Sequence, residues 1–465
     1  MALSAEHFVV LSDRYPPHSH GGAELSLHAI LRSVAEERPV HVIALNGTNE
    51  AIRHYEHQGV SVVELPGQAP WPVHFMSAHK WATLQRRAKW IADYILRREA
   101  QNRIAKLAYL DAGEKARLLQ LFLDKKITGG LSIDRQEFSE GYTRRQLRRL
   151  FRDGLPRKIH ADNYRAICQA GLLNVPGWTA TVRDHRFDCA RHNQSRIIGS
   201  SVCGACDFSC TEQDCPEASG LLRKVIEDNV QFRRKSIAKA ARRSATSVFL
   251  TDRLRDVTSD PQVLQVSNPV DAPRWVRGVI RGVSERVGFN ALIVGMLTEN
   301  KGQTEFIKKL GARIAAEPDF HVHFAGRGPR IERRIRELAA GFGIEDRIHL
   351  HGFVGRRPLY ELMRECQVVL LPTRWPEPFG RVPLEAALVR RPVVSFKIGG
   401  LAESIVDKST GYLVRHLDFE AMFDRALALR DDPTGRLAMG AAAYDHVRKK
   451  YAQEVVEDNM ANLWG

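Results

Sequence analysis

The sequence contains little cysteine and no long hydrophobic run, and each shortage excludes a class of protein. Seven cysteines in 465 residues rule out a small scaffold held together by disulfides. The longest apolar stretches, such as residues 368–371, are far shorter than the ~20 residues that span a bilayer. Residues 1–6 lack the basic and apolar regions of a signal peptide, so we expect a cytoplasmic location.

Two nucleotide-binding fingerprints are also missing. The sequence has no G-x-x-x-x-G-K-[ST] segment, which argues against a P-loop nucleotide hydrolase. The first strand runs into Asp13-Arg14-Tyr15 rather than a glycine triad, and Gly326-Arg327-Gly328 lacks the third glycine of a dinucleotide motif. The sequence therefore gives little support to a nicotinamide or flavin cofactor.

What the sequence does have is an ordinary globular composition and a positive charge concentrated in one segment. Hydrophobic residues make up 44% and charged residues 26%, which excludes a mostly disordered or collagen-like chain. The net charge is +15, of which +11 lies between Lys80 and Lys158, where 20 Lys/Arg face 9 Asp/Glu. This basic segment predicts solvated helical faces or, equally, a membrane-surface patch, because aromatic residues interleave with the basic ones. Nucleic-acid binding is the less favoured interpretation.

Hydrophobic runs alternate with helical patterns in two series, which predicts two doubly wound parallel sheets. Strands are expected at 7–12, 40–45, 60–65, 159–161, 178–182 and 247–250, and in the second series at 291–297, 321–325, 348–350, 368–371 and 393–396. Helices are expected up to residue 37 and over 81–99, 103–123, 144–151, 305–316, 331–341, 359–366, 384–389, 419–429 and 437–463.

This pattern predicts a first domain over residues 1–275 and a second over 276–445, joined within 269–289. Residues 446–465 are expected to form a helix that returns to the first domain. The first domain would carry the basic helical insertion at 80–158 and a cysteine-rich insert at 189–215. Ligands of open parallel sheets bind at the carboxyl ends of strands, so site residues are expected in the loops that follow strands.

The most informative loop runs from Glu377 to Glu385, between a buried strand and a helix. Pro383 suits the first turn of a helix, whose free N–H groups and positive dipole end would attract an anion to the cleft. Gly380 lets a phosphate approach the backbone closely. Glu377 and Glu385 are suited to accept hydrogen bonds from hydroxyls, of a sugar and of a ribose respectively.

This nine-residue stretch resembles the E-x7-E signature of the retaining GT-B glycosyltransferases of family 4. Further segments are similar to that family in the same order along the chain: 15–17, 21–24, 268–271, 295–302, 325–329, 351–354, 399–400 and 411–414. The match covers most of the chain outside the basic insertion. It implies an α/β protein of the GT-B class, with two Rossmann-like doubly wound domains that face a cleft.

The resemblance also implies roles for single residues. Lys301 would neutralise the diphosphate of a sugar donor, and Gly21 and Gly22 would face that diphosphate from the first domain. Glu377 would hold the transferred sugar, and Glu385 would bind the nucleotide ribose. The remaining donor contacts would come from Arg327, Phe379, Gly380, Arg381 and Val382.

Two positions depart from the family pattern. Met296 stands where the family often has an arginine that pairs with phosphate, and either Arg381 or Arg327 is expected to replace that charge. Arg183 stands where a histidine is expected. His185 is therefore a candidate catalytic residue in a shifted register, with a packing histidine as the equal alternative.

Five of the seven cysteines fall between residues 189 and 215. Clustered thiolates in a cytoplasmic protein favour a metal over disulfides, so this stretch predicts a structural zinc or iron–sulfur site. Buried thiols without a metal are nearly as well supported, and a catalytic thiol is less so. The candidate metal ligands are Cys203, Cys206, Cys210 and Cys215.

These features predict a retaining, metal-independent glycosyltransferase that moves a sugar from a nucleotide diphosphate sugar to a hydroxyl of a glycan or lipid-linked acceptor. Cell-surface polysaccharide synthesis is the expected setting, and no cofactor is expected to be required for catalysis. The family often works at the inner face of a membrane, which adds to the expectation of an anionic membrane surface as a partner. The alternatives are an epimerase-like GT-B enzyme and, with less support, a nucleic-acid-binding protein that uses the cysteine cluster.

Overall fold

Two α/β domains make up the described part of the chain. They are seen in a computed structural model that describes residues 7–18, 22–47, 51–66, 143–144, 146–152, 154–173, 175–189, 197–198, 201–202, 206, 223–270 and 272–464. The helices predicted at 81–99 and 103–123 lie outside these residues. Residues 143–144 and 146–150 are helical, close to the prediction for 144–151.

The first domain is built on one large sheet. Its strands are β1 (Phe8–Ser12), β2 (Val40–Gly47), β3 (Arg53–His57), β4 (Val60–Pro66), β5 (Lys158–Asp162), β6 (Thr179–Val182), β9 (Arg242–Ala245) and β10 (Leu264–Gln265), while β7 (Ile197–Ile198) and β8 (Ser201–Val202) pair separately. The helices are α1 (Gly22–Glu37), α2 (Tyr164–Leu173), α3 (Arg223–Ala238) and α4 (Val248–Thr258). The strand order is β10-β9-β6-β5-β1-β2-β4-β3, and its pairings are parallel except for the hairpin β3–β4.

The second domain has a wholly parallel six-stranded sheet in the order β13-β12-β11-β14-β15-β16. Its strands are β11 (Phe289–Val294), β12 (Phe320–Ala325), β13 (Ile348–Gly352), β14 (Val368–Leu371), β15 (Val393–Phe396) and β16 (Gly411–Val414). Its helices are α5 (Trp275–Gly282), α6 (Gln303–Ala316), α7 (Pro329–Phe342), α8 (Arg356–Glu365), α9 (Val382–Leu388), α10 (Leu401–Ser404), α11 (Phe419–Asp431) and α12 (Pro433–Lys450). Helix α13 (Gln453–Trp464) follows.

Burial of both faces of each sheet explains why the strand sequences are continuous apolar runs. Phe8 and Val10 of β1 belong to the core under α1, whereas Val9 and Leu11 belong to the core under α2. Side chains alternate across a strand, so a sheet covered on both faces needs apolar residues at every position. The predicted doubly wound sheets are therefore present in both domains.

One predicted strand is wrong. Residues 247–250 begin helix α4 instead, and the strand lies just before them, at β9. The Ser247 side chain accepts a hydrogen bond from the Leu250 N–H at 3.2 Å and caps the helix. Strand β9 has the sequence Arg-Arg-Ser-Ala, which carries no apolar run, so hydropathy placed the strand on the first turn of the helix.

The single helix predicted over 437–463 is two helices. Helix α12 ends at Lys450, and α13 starts after Tyr451 and Ala452, which are both buried. Helix α13 packs against the first domain, where Val456, Met460 and Leu463 join the core of β1 and α1. The chain therefore crosses between the domains a second time at Tyr451.

The predicted joint contains a helix rather than an open linker. Val276 and Val279 of α5 are buried in the core of the second domain, together with Val270. The second domain thus starts close to residue 270, before the boundary predicted at 276. Val270 N–H donates to the Tyr451 carbonyl at 2.8 Å, so the two crossings lie side by side.

Four histidines share one face of β12 and β13. His323 Nε2 lies 2.9 Å from Asn290 Oδ1, and its Nδ1 lies 2.9 Å from His351 Nε2. The Asn290 amide donates to two backbone carbonyls, which fixes Oδ1 as the acceptor for His323. His323 Nδ1 is then an acceptor, and burial together with the neighbouring histidines lowers the pKa of His323 to about 3. His321 and His349 stack beside this pair.

Acidification from about pH 7.5 to about pH 5.5 is expected to destabilise the second domain, partly through His323. The folded pKa of about 3 lies below the ordinary value of 6.5, so stability is complete above pH 6.5 and is lost as the pH falls toward 3. The expected share of His323 is roughly 1 kcal/mol. Urea unfolding at both pH values should show a smaller pH dependence in His323→Gln, with the exposed His54→Gln as control. The same pH dependence in His323→Gln as in the unsubstituted protein would contradict this role.

Candidate functional site

A pocket opens at the carboxyl ends of the strands of the second sheet. The loop after β11 supplies Lys301, the loop after β14 supplies Thr373 and Glu377, and the start of α9 supplies Arg381. The residues that line the pocket are Ile293, Val294, Lys301, Leu371, Pro372, Thr373, Glu377, Gly380, Arg381, Val382 and Leu401. This is the edge at which ligands of open parallel sheets bind.

Lys301 and Glu377 form an ion pair in this pocket. The Thr373 hydroxyl also points to the Glu377 carboxylate, at 3.5 Å. The Lys301 and Glu377 side chains are 26% and 13% exposed, so a ligand in the pocket can reach both. The pair offers a positive charge for a phosphate and a carboxylate that accepts hydrogen bonds from hydroxyls.

Gly302 sets how closely the turn that carries Lys301 approaches the loop after β14. Its φ is +75°, and a Cβ at this position would lie 1.9 Å from the Pro372 carbonyl oxygen. The adjoining backbones are hydrogen-bonded, with Arg374 N–H donating to the Asn300 carbonyl at 2.7 Å. A residue without a side chain is therefore needed for the contact that brings Lys301 onto Glu377.

Arg381 connects the second domain to the start of α1. Its Nη1 donates to Ser26 Oγ at 2.6 Å, and its Nε lies 3.3 Å from Glu385 Oε1. Ser26 Oγ donates in turn to the Gly22 carbonyl at 2.7 Å. A Cβ on Gly22 would lie 2.8 Å from Arg381 Cδ, so the start of α1 lies against the E-x7-E loop. Gly21 lies outside the described residues.

The two arginines considered as replacements at the Met296 position lie in different surroundings. Arg381 lines the pocket. Arg327 follows β12, is exposed and is not among the lining residues. Met296 itself is 70% exposed, so its side chain does not fill the pocket.

His185 is buried at the domain boundary. Its Nε2 lies 2.8 Å from the Pro376 carbonyl oxygen, and because a carbonyl only accepts, Nε2 carries the proton. Burial lowers the pKa of His185 to about 4, so the ring is neutral at physiological pH. Its contacts hold the backbone just before Glu377, and the Nε2 proton is engaged with that backbone.

Arg183, at the position where the family has histidine, lies inside the first domain. Its Nε contacts both Asp162 oxygens at 2.7 and 2.8 Å, and its Nη1 donates to Asn268 Oδ1 at 2.5 Å. The side chain is almost fully buried. Arg183 therefore joins β5 and β6 to the segment in which the chain first crosses to the second domain.

The N-terminus of α4 forms a further part of the domain boundary. Ser247 Oγ donates to the Pro378 carbonyl at 2.5 Å, on the same loop that His185 contacts. The Glu403 carboxylate accepts hydrogen bonds from Val248 N–H at 2.7 Å and Phe249 N–H at 2.9 Å. The first domain thus supports the loop that carries Glu377 from two sides.

Of the other predicted residues of the E-x7-E loop, some line the pocket and others pack in the core. Phe379 is 3% exposed and its ring packs near Tyr451, so its side chain belongs to the core. Gly380 has φ +83°, and a Cβ there would lie 2.4 Å from Leu401 Cδ2. Val382 lines the pocket as the first residue of α9. Glu385, one turn further, contacts Arg381.

Sequence reasoning missed Ser26, Thr373 and Trp375. Ser26 lies one helical turn after Gly22, and Thr373 lies two residues after β14, so each position carried a signal. The Trp375 ring lies 5.8 Å from Lys301 Nζ and 6.0 Å from the His185 ring. It separates the pocket cation from the buried histidine.

Most of the predicted metal cluster lies outside the described residues, namely Cys203, Cys210 and Cys215. Cys206 is described and buried, with its N–H donating to Asp188 Oδ2 at 3.3 Å. Within the described part of the chain, no group of three or more His, Cys, Asp or Glu side chains is arranged to hold a metal ion. The zinc or iron–sulfur site stays a prediction.

One protein family model matches the second domain. Residues 288–432 match the family model of the glycosyl transferases group 1. This match covers most of the second domain, which is called the group 1 domain below. The resemblance carried by the E-x7-E loop and the segments around it is thereby confirmed for the group 1 domain, which contains Lys301, Glu377 and Glu385.

Curated relatives of the group 1 domain differ in the reactions that their names give. The chain is 27% identical over 240 residues to alpha-D-kanosaminyltransferase of Streptomyces kanamyceticus, which is 48% of this chain and 61% of that protein. It is 33% identical over 163 residues to D-inositol 3-phosphate glycosyltransferase of Corynebacterium glutamicum, 33% of this chain and 38% of that protein. The chain thus spans less than two thirds of each relative.

Solved structures match both domains together. Sucrose-phosphate synthase from Thermosynechococcus elongatus has a TM-score of 0.62 at 15% identity and covers 99% of this chain and 98% of its own. Anabaena HepE in complex with UDP and glucose has a TM-score of 0.61 at 14% identity, with 98% of each chain covered. These likenesses confirm the predicted GT-B arrangement, with the group 1 domain as its second half.

Proposed function

We propose that the chain is a retaining glycosyltransferase that takes a sugar from a nucleotide diphosphate sugar and passes it to an acceptor hydroxyl. The observation that carries the proposal is the pocket in which Lys301, Glu377 and Arg381 meet at the strand ends of a group 1 domain. HepE, which shares the fold, was solved with UDP and with UDP-glucose, which supports a nucleotide sugar as the donor here.

In this proposal the basic pocket residues bind the diphosphate and the acidic ones bind hydroxyl groups. Lys301 and Arg381 are each paired with a glutamate, and both move from that partner onto the diphosphate as the donor binds. Glu377 then accepts hydrogen bonds from the transferred sugar, and Glu385 from the ribose. Fixed cations stabilise the charge that develops on the leaving diphosphate and take the place of a divalent metal.

A retaining reaction in this pocket requires no strong protein base. The acceptor attacks from the face that the diphosphate leaves, so positioning and electrostatic stabilisation lower the barrier. His185 is neutral, and its Nε2 proton is hydrogen-bonded to the Pro376 carbonyl, where it holds the Glu377 loop. This supports a reaction without a strong protein base. In the mechanism, His185 is thus a positioning residue.

A thermal-shift screen with UDP-, GDP-, ADP- and dTDP-sugars tests the donor proposal. A ligand at about 100 times its dissociation constant adds about 2.7 kcal/mol to the stability, so one of these donors should raise the melting temperature by several degrees. The Arg381→Met variant, which keeps the volume and removes the charge, should reduce that shift. The absence of a shift with all four donor classes would refute a nucleotide sugar site.

Release of nucleotide separates transfer from epimerisation. A transferase should release nucleoside diphosphate only when a glycan acceptor is added, whereas a nucleotide-sugar epimerase keeps the nucleotide on its sugar and releases none in net. Conversion of the donor to an epimeric nucleotide sugar without any acceptor would favour that alternative.

We further propose that the enzyme is cytoplasmic and meets glycan or lipid-linked acceptors at the inner face of a membrane. The +11 charge of residues 80–158 supports this, as does a 29% identical relative named as a phosphatidylinositol monomannoside mannosyltransferase, in Corynebacterium glutamicum. Among the described residues, no helix has the length and apolar character that crossing a bilayer requires.

Liposome co-sedimentation tests the membrane proposal. Binding to vesicles is expected to require anionic lipid and to weaken with added salt, because each basic residue near such a surface contributes about 1 kcal/mol that salt screens. Vesicles made only of zwitterionic lipid are the control. Binding that is indifferent to lipid charge and salt would contradict the proposal.

A further inference from the structure

Helix α10 lies where three parts of the molecule meet. It is a single turn of four residues, Leu401–Ser404. Leu401 lines the pocket at the strand ends of the second sheet, which is called here the donor pocket. The Glu403 side chain reaches α4 of the first domain, and the Glu403 carbonyl accepts a hydrogen bond at 3.0 Å from the Tyr451 hydroxyl, where the chain crosses between the domains. One short helix therefore contacts the donor pocket, the first domain and the crossing.

Close packing joins α10 to the Glu377 loop. Gly400, just before α10, donates its N–H to the Glu377 carbonyl at 2.7 Å, and a Cβ on Gly400 would lie 2.6 Å from Phe379 Cα. On the pocket side, a Cβ on Gly380 would lie 2.4 Å from Leu401 Cδ2. The two segments are in contact at both points, so a shift of α10 moves the Glu377 loop as well.

Two of the N–H groups at the start of α4 are capped from the second domain. The Leu250 N–H donates to Ser247 Oγ at 3.2 Å, within the first domain. The Val248 and Phe249 N–H groups donate instead to Glu403 Oε2 and Oε1, at 2.7 and 2.9 Å. A carboxylate at this place makes charge-assisted hydrogen bonds and lies at the positive end of the helix dipole. The second domain therefore supplies the anion that stabilises the start of α4.

The Glu403 carboxylate acts between the domains rather than within its own. Among the described residues its hydrogen-bond partners are Val248, Phe249 and Gln265, whose Nε2 lies 3.4 Å from Oε2, and all three belong to the first domain. Burial raises the pKa of Glu403, and the two N–H donors of α4 oppose that rise. Glu403 is not among the residues that line the donor pocket. It can therefore influence a reaction there only through the position of the segments that it joins.

We propose that Glu403 is a positioning residue for the transfer: by tying α4 to α10, it holds the Glu377 loop at a fixed place relative to the first domain. The inference rests on the proposed glycosyl transfer, because it assigns a residue to that reaction. The His185 and Ser247 contacts end on the loop itself, whereas Glu403 holds the helix against which the loop packs. Transfer depends on a fixed separation of the reacting groups, so loss of this tie lowers the rate of the chemical step.

The Glu403→Gln variant tests this role by kinetics. It keeps the length of the side chain and one acceptor oxygen, but it removes the charge and turns an amide NH2 toward one of the α4 N–H groups. Acceptor-dependent nucleotide release is expected to show a kcat about 10-fold lower, because the reacting groups are less well positioned. The KM for the donor should change less than about 3-fold, since Lys301 and Arg381 remain in place. A residue that only stabilises the fold would leave both constants unchanged at temperatures below unfolding.

The Val248→Pro variant breaks the same contact from the first domain. Val248 is the first residue of α4, where proline is favoured, and its side chain is 44% exposed. Ser247 has φ −143° and ψ 160°, the extended conformation that a residue before proline adopts. The variant should therefore fold, while a ring carbon replaces the N–H that faces Glu403 Oε2 at 2.7 Å. We expect a similar loss of kcat, and the double variant should be no slower than the slower single one, because both changes remove one contact.

Hydrogen exchange measures the connection without any substrate. The Gly400 N–H, bonded to the Glu377 carbonyl, reports on the packing of α10 against the loop. In the full chain, both variants should raise its exchange rate at least about 5-fold, although Val248 lies in the other domain. Glu332→Gln is the matched control, because Glu332 also accepts a backbone N–H at the start of a helix, from Gly328 at 3.1 Å, but within the second domain. It should change neither the exchange at Gly400 nor kcat.

Three results would each overturn the role of Glu403: an unchanged kcat in both variants, a rise in KM in place of the fall in kcat, or unchanged exchange at Gly400. Each can occur while a nucleotide sugar still raises the melting temperature, and then only this inference fails. If no donor raises the melting temperature, the proposed transfer fails, whereas exchange at Gly400 still shows whether the domains are connected through α10.

Discussion

Lys301→Ala is expected to reduce sugar transfer about 100-fold with little change in stability. The substitution removes a cation that stabilises the leaving diphosphate, and single groups of this kind contribute about 100- to 1000-fold in other enzymes. It also leaves the Glu377 carboxylate unpaired beside a negatively charged donor. Steady-state rates of acceptor-dependent nucleotide release measure the effect, which should appear mainly in kcat.

Two further variants test whether the effect of Lys301→Ala is specific to the pocket. Lys308→Ala removes an exposed lysine of α6 that pairs with Glu305 at 3.8 Å, and it should leave transfer unchanged. Glu377→Ala should reduce transfer at least ~10-fold, because the sugar loses a hydrogen-bond acceptor. Near-normal transfer by folded Lys301→Ala and Glu377→Ala variants would show that this pocket is not the donor site.

Gly302→Ala is expected to destabilise the protein by about 2–4 kcal/mol and to reduce transfer at the same time. The added methyl group would lie 1.9 Å from the Pro372 carbonyl oxygen, which is backbone and cannot rotate away. A side chain at φ +75° adds strain of about 1 kcal/mol, and overpacking adds about 1–3 kcal/mol. Relief of the clash moves the Lys301 turn away from the Glu377 loop, so activity falls with stability.

Gly343→Ala separates strain from the clash. Gly343 has φ +68°, close to that of Gly302, but a Cβ there would meet nothing within 4 Å. The expected loss is therefore about 1 kcal/mol, with transfer unaffected. Chemical denaturation of both variants gives the comparison, and equal losses at the two glycines would contradict the packing argument.

The sequence predicted well those features that depend on one element and its neighbours along the chain. Both sheets could be predicted from the sequence, because a sheet buried on two faces requires uninterrupted apolar strands, as in Val368–Leu371. The turn and helix start of the E-x7-E loop could be predicted because Pro383 is typical of the first turn of a helix and Gly380 of a tight turn. Strand β9 was not predicted because its sequence, Arg-Arg-Ser-Ala, carries no hydrophobic signal.

Contacts between distant segments could not be predicted. His185 is 191 residues from Pro376, and Arg381 is 355 residues from Ser26, so no local pattern indicates either pair. The same holds for Arg183, whose partners Asp162 and Asn268 come from different parts of the first domain. A register shift from Arg183 to His185 was a reasonable hypothesis, but the ring's contact with a backbone carbonyl is decided only by how the domains meet.

Helix α13 has a consequence for how the protein forms on the ribosome. Val456, Met460, Leu463 and Trp464 complete the core beneath α1, although β1 and α1 are made before the whole second domain. Domains usually fold in the order of their synthesis, N-terminal first. Here the early domain has an open apolar face until residue 464 has left the exit tunnel, so the late domain is finished before it. Chaperone dependence during translation should therefore map to the first domain, and it should end once α13 has been made and has packed beneath α1.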